Sequence, residues 1–181
     1  MIRSQFASRL GLRDVGRVRL IVLPTDLDVL GHMNNGIYFS LMDLGRLDLL
    51  VRAGAWKKLS AVGFYSVMAN ETISFRKSLG PWQRFVLETR VVGVDDRAVY
   101  VEQRFTVEGE IYASAMTRAR FVKKSGGTVS VAELAELLGH DVSDLIPPIW
   151  VSEWADHVAL PSTRQAAPSQ WGEGKNPSEY P

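Results

Sequence analysis

The sequence contains no cysteine. That absence excludes thiol nucleophiles, disulfides and cysteine-ligated zinc, and it leaves the redox compartment open. Histidine is scarce, with three residues, so imidazole chemistry has few places to occur. Neither sign of charge is in excess. Twenty-one Lys and Arg against 20 Asp and Glu give a formal net charge of +1, which offers no argument for a nucleic-acid partner. No stretch approaches the ~18 uninterrupted apolar residues of a membrane span. Residues 1–16 also lack the apolar run of a signal peptide. The expectation is a cytoplasmic protein with no membrane span.

What is present is ordinary for a globular chain: 181 residues, 46% apolar and 23% charged. A domain of that length buries roughly 68–70% of the surface its unfolded chain exposes, so no staple is required. Arg17–Leu23 reads as a strand, with Val18, Leu20 and Val22 alternating against Arg17, Arg19 and Ile21, and Pro24 ending it. Thr25–Asn35 is a loop rich in Asp, Gly and Asn. Asn34 or Asn35 then caps a helix running to about Ala53, with Gly54 as its stop. The apolar positions Ile37, Tyr38, Leu41, Met42, Leu44, Leu47, Leu49, Leu50 and Val51 form a band too wide for one stripe. Such a helix is buried on more than one side. Gly36 and Gly45 permit close backbone approach, at a helix-propensity cost of ~1 kcal/mol each.

Four strand-like runs follow, at about 62–78, 82–94, 98–108 and 111–123. Their separators are Leu79-Gly80-Pro81, Asp95-Asp96-Arg97 and Glu108-Gly109-Glu110. Short turns between long β-rich runs predict an antiparallel meander. Val131–Leu138 reads as a short helix between Ser130 and Gly139. Residues 145–160, with Pro147-Pro148, Trp150 and Trp154, are expected to pack on the rest. Residues 161–181 read as a flexible tail. The order predicts an α+β plan, one antiparallel sheet against one helix. The expected division is a domain at 1–145 and a C-terminal extension at 146–181.

Between strand and helix, Asp26-Leu27-Asp28-Val29-Leu30-Gly31-His32-Met33-Asn34-Asn35 gathers two carboxylates, an imidazole and two carboxamides. A helix start directs free N–H groups and the positive dipole end outward. Acyl transfer needs such donors for its oxyanion, and a carboxylate that activates water or attacks directly. The same residues also make ordinary turns and N-caps, so composition alone leaves both readings open.

The pattern Asp-x-Asp-x-x-Gly-His-x-Asn-Asn-x-x-Tyr, from Asp26 to Tyr38, resembles the signature of hotdog-fold thioesterases. It is similar to the 4-hydroxybenzoyl-CoA thioesterase group and to plant acyl-ACP thioesterases. The resemblance covers roughly residues 15–125. It implies a hotdog fold, an antiparallel sheet wrapped around one long helix, and hydrolysis of acyl-CoA without metal or cofactor. It implies Asp28 as catalytic carboxylate, either base or nucleophile. It implies the N–H of Asn35, with Gly36 beside it, as oxyanion donor. Leu30 stands where the plant enzymes carry Asn, while His32 is kept, so His32 is either site-lining or structural. Asp26 reads as a turn or cap residue. Asn34, Tyr38 and Asp43 are the other candidate substrate-binding positions, each with a structural alternative in cap, core or subunit interface. Arg97 and Lys123-Lys124 are candidates for the CoA phosphates, or simply solvated turn charges.

Two other functions share the fold. The dehydratase motif Asp-x-Asn-Pro-x-His spaces His five residues after Asp. Here His32 follows Asp28 by four and Asp26 by six, with no Pro between. A non-catalytic acyl-CoA-binding protein is the third reading. An open sheet edge invites pairing, and the resemblance implies a homodimer or homotetramer with sites at the interface.

Overall fold

A computed structural model describes residues 8–162 and 164–169. The order is β1 (Gly16–Ile21), a 3-10 turn (Pro24–Asp26), α1 (Asn35–Arg52), α2 (Ala55–Ala61), β2 (Phe64–Phe75), β3 (Arg84–Val94), β4 (Ala98–Val107), β5 (Glu110–Lys123), β6 (Thr128–Val129), α3 (Val131–Leu138) and α4 (Ile149–His157).

The long helix begins where the carboxamide chemistry says it should. Asn34 is its N-cap, and Asn34 Oδ1 accepts from the Gly36 N–H at 2.8 Å. Ala53 is the C-cap, and Gly54 turns the chain away with φ +72°. α3 is likewise opened by the Ser130 hydroxyl and closed by Gly139, as expected. Two helices were not anticipated. α2 is only seven residues long, and α4 follows Pro147-Pro148, which reads as a breaker. Pro148 is in fact the N-cap, where a missing N–H costs nothing.

The sheet runs β1-β3-β4-β5-β2, all antiparallel, with β6 added to β5. The expected meander is therefore correct for β3 to β5 and wrong for β2, which pairs with β5. Residues 76–83 are too long for a tight hairpin, and they cross from the β2 edge to β3, which lies between β1 and β4. Arg76 and Lys77 both donate backbone N–H bonds to Tyr112 O, and Leu79 is fully buried. The β4–β5 turn is tight, with Glu108 and Gly109 both at positive φ.

α1 lies across one sheet face. Tyr38, Met42 and Leu49 are buried, and Tyr38 meets Phe105 edge-on at 4.8 Å between ring centroids. The main core joins Tyr38 and Met42 to Val22, Leu79, Phe85, Leu87 and Ala113. Gly45 sets the helix-to-sheet distance. A Cβ there would stand 2.7 Å from Thr89 Oγ1 and 2.9 Å from Leu87 Cδ2. The opposite sheet face carries α4, whose Val151 and Ala155 pack on Tyr100 and Met116, with Trp154 half-buried beside them. Trp150 is exposed instead. Pro147 fills the space beside Gly93, at the bulge in β3. Of the expected tail, residues 161, 162 and 164–169 are described and form no regular element; residue 163 and residues 170–181 lie outside the described residues.

Candidate active site

The loop from β1 to α1 is held by its own polar groups. Asp26 Oδ2 accepts the Leu23 N–H at 2.8 Å, and Asp26 O accepts the Asn34 N–H at 2.8 Å. Asp26 thus closes the turn. Leu27 and Met33 form a bridge, and Asp28 N–H donates to His32 O at 2.9 Å. Gly31 reverses the chain at φ +76°. Asp28 Oδ1 accepts the Leu30 N–H at 2.8 Å and the His32 N–H at 3.4 Å. The carboxylate is half-buried and oriented by backbone donors. Among the described residues no donor is assigned to Oδ2. Leu30, the departure from the plant pattern, therefore serves Asp28 through its amide and turns its side chain outward, 76% exposed.

At the helix start the first amides divide their tasks. Gly36 N–H is engaged by Asn34 Oδ1, and Ile37 N–H by Asn34 O at 2.9 Å. The Gly36 amide is therefore already engaged in the cap of α1. Asn35 N–H is left as the helix-start amide without an assigned acceptor among the described residues. His32, Asn34 and Asn35 are exposed. Tyr38 is buried in the core between Phe75 and Phe105, away from the surface. Burial pushes its phenol up, opposed by a backbone bond with Leu79.

Asp43 lies further along α1, exposed, with Oδ1 2.5 Å from Arg46 Nη2. Arg46 is buried and is the centre of a network that sequence reading missed. Its Nη1 reaches Glu71 Oε1 at 2.7 Å, Gln103 Oε1 at 2.8 Å and Thr117 Oγ1 at 3.2 Å. Gln103 Nε2 donates to Met42 O at 2.9 Å and to Thr89 Oγ1 at 3.0 Å. The signal was present: an arginine inside an apolar helix band, opposite strands with Thr and Gln at inward positions. These bonds tie α1 to β2, β3, β4 and β5.

Arg97 sits in the β3–β4 turn, exposed, at the far end of β3 from the Asp28 loop. Eleven strand residues span about 35 Å, so one chain does not bring Arg97 to Asp28. Its N–H instead donates to Asp95 Oδ1 at 2.7 Å. Asp95 Oδ2 accepts from the Tyr100 hydroxyl at 2.6 Å and pairs with Arg118. Burial raises the Asp95 carboxyl, but Tyr100, two backbone N–H groups and Arg118 outweigh it and hold it below its ordinary value. Burial and the bond to Asp95 push Tyr100 up to about 12. Among the described residues no cluster of His, Asp and Glu is grouped to hold a metal ion. One cavity lies under α3 and another, about 180 Å³, is lined by Arg17, Glu88, Arg90, Glu102 and Arg104; Asp28 lines neither of these.

Residues 22–159 match the family model described as Thioesterase-like superfamily. The chain belongs to that superfamily. Like other members it has the hotdog fold, with its antiparallel sheet curled around α1. Over 100 residues it is 42% identical to Protein THEM6 of Xenopus laevis, covering 55% of this chain and 48% of that protein. The chain spans about half the length of the curated relatives it matches. Among solved structures it resembles the probable thioesterase YbaW of Escherichia coli, with a TM-score of 0.64 and 22% identity, over 70% of this chain and 98% of that one. It also resembles the DHNA-CoA thioesterase of Staphylococcus aureus, with a TM-score of 0.61 and 14% identity, over 81% and 97%. No helix among the described residues is long and apolar enough to cross a membrane.

Proposed function

We propose that this superfamily member hydrolyses acyl-CoA thioesters, with Asp28 as the catalytic carboxylate. The observation that carries the reading is the pairing of an oriented carboxylate with a helix start in one loop. Asp28 has one oxygen engaged by backbone amides, and the Asn35 N–H is uncommitted at the N-terminus of α1. Asp28 takes a proton from water, and the water oxygen forms a bond to the thioester carbonyl carbon. The carbonyl oxygen becomes an oxyanion held by the Asn35 N–H and the helix dipole. Collapse breaks the C–S bond. The thiolate leaves with the proton that Asp28 accepted, giving free acid and CoA. Gly36 keeps the approach to this amide free of a side chain, and His32 and Asn34 border it, while Asp43 stands two turns further along α1. Tyr38 supports the loop from the core.

The active unit is a homodimer joined at β2, built from residues 1–145, with α4 as an added outer layer. β2 is a twelve-residue edge strand with Tyr65, Val67 and Phe75 exposed, an edge that invites pairing. A twofold axis across β2 sets the partner strand antiparallel. The Phe64 end of one subunit then lies beside the Phe75 end of the other. Arg97, Lys123 and Lys124, at the Phe64 end, thereby approach the partner's Asp28 loop and can meet CoA phosphates there.

The test is thiol release from short, long and aromatic acyl-CoAs by the full chain and by Asp28→Asn. Asparagine keeps an acceptor for the Leu30 N–H but is no base. A fall of about 10²–10⁴-fold with an unchanged melting temperature is expected. Full activity in that variant would remove Asp28 from the chemistry. Tight acyl-CoA binding without thiol release would favour a binding protein.

A further inference from the structure

Three exposed apolar residues lie together where β1 ends and β3 begins. Ile21 pairs with Arg84, Val22 N–H donates to Gln83 O at 3.0 Å, and Trp82 N–H donates to Val22 O at 2.9 Å. This register sets Ile21, Leu23 and Trp82 side by side, 39%, 44% and 62% exposed. Val22 between them is fully buried, so strand alternation turns Ile21 and Leu23 outward together. Single exposed hydrophobes are normal, but a contiguous group is not. Trp82 is also held at φ +62°, a left-handed conformation unfavourable for an L residue with a large side chain. The strained turn leaves the indole exposed to solvent.

Beside this rim, on the sheet face opposite α1, the register aligns five arginines, Arg17, Arg19, Arg84, Arg90 and Arg104, with two glutamates, Glu88 and Glu102. Glu88 pairs with Arg17, and Glu102 pairs with both Arg90 and Arg104. Arg19 and Arg84, which lie nearest the apolar rim, have no carboxylate partner among the described residues. The near-neutral whole chain thus carries a local positive patch. α4 covers this face only further along, over Tyr100 and Met116. β1 is the sheet edge opposite β2, so pairing at β2 leaves the rim uncovered.

We propose that this rim docks the protein peripherally on an anionic phospholipid bilayer. The chemistry matches layer by layer. Indole settles at headgroup depth, Ile21 and Leu23 reach the acyl boundary, and unpaired guanidinium groups meet lipid phosphates. An acidic protein would complement the arginines without needing a strained exposed Trp. The rim adjoins the Asp28 loop, since Leu23 leads into it and Met33 N–H bonds Leu79 O. Docking therefore turns that loop toward lipid, although the attachment itself does not depend on thioesterase activity.

The experiment is co-sedimentation of the full chain with vesicles of phosphatidylcholine alone and of phosphatidylcholine mixed with phosphatidylserine. Binding is expected only with phosphatidylserine, and it should weaken with salt. Each arginine contributes about fivefold at an anionic surface, so Arg19→Glu with Arg84→Glu should lose about tenfold or more. Trp82→Gly removes the backbone strain along with the indole. It should melt no lower than the parent and still bind vesicles more weakly. A parent that stays in the supernatant with the mixed vesicles overturns the proposal. Binding lost in the arginine variant but unchanged in Trp82→Gly also overturns it, pointing to simple charge attraction or an acidic protein partner.

Discussion

At the scale of single residues, burial and pairing decide which polar groups are working parts of the structure. Asp95 is the clearest case. Its carboxyl is held below its ordinary value of 3.8, because Tyr100, two amides and Arg118 outweigh its burial. A depressed folded-state value adds stability that is complete above the unfolded value and is lost as pH falls through the folded one. The melting-temperature gap between the parent and Asp95→Asn should therefore be constant near neutral pH and close progressively below about pH 4. A gap independent of pH would mean that Asp95 acts as a hydrogen-bond acceptor only. Asp95, Asp26 and Asp28 all accept backbone amides from nearby residues. Only Asp28 does so in front of a helix start with an open amide, and the spacing to Asn35 that the family resemblance implies had favoured it over Asp26, which closes its own turn.

At the scale of elements, α1 against the sheet is the contact that organises the rest. Gly45→Ala tests it with a sign that is not obvious beforehand. Alanine gains ~1 kcal/mol in helix propensity, yet the added methyl would sit 2.7 Å from Thr89 Oγ1 and 2.9 Å from Gln103 Nε2. Overpacking costs about 1–3 kcal/mol, so a net loss of stability in denaturant melts is expected. Arg46→Ala should cost more, about 3–5 kcal/mol, because it strands Glu71 and Gln103 in the interface. Arg46→Met, which fills the space, should cost less than Arg46→Ala in the same assay. Most element boundaries were legible in the sequence because caps and turns are local: Asn34, Gly54, Ser130, Gly139 and the Glu108-Gly109 turn each act within a few residues. α4 was not, since Trp150 and Trp154 show no direction until the sheet face beneath them is known.

At the scale of the whole molecule, the two sheet edges differ in character. β1 is six residues long and carries Arg17 and Arg19, a blunted edge. β2 is twice as long and apolar at Tyr65 and Val67. The proposed pairing at β2 predicts that Val67→Lys yields monomers in light scattering and loses thiol release with them, although Asp28 is untouched. A monomeric variant with full activity would separate the assembly from the chemistry.

The α+β plan, the first strand, the four long strands after it, the capped central helix and the Asp28 loop were all legible in the residues alone, because each depends on short-range periodicity, capping or motif spacing. That β2 joins β5 rather than β3 emerged only from the folded chain, since residues 76–83 are too long for a tight hairpin and pairing between strands distant in sequence leaves no local signal. The tertiary structure alone revealed the Arg46 network, which exists only where helix and sheet meet, and that the Gly36 amide is already engaged. It also separated Arg97 from Asp28 within one chain, because the length of a strand, invisible as distance in a sequence, lies between them.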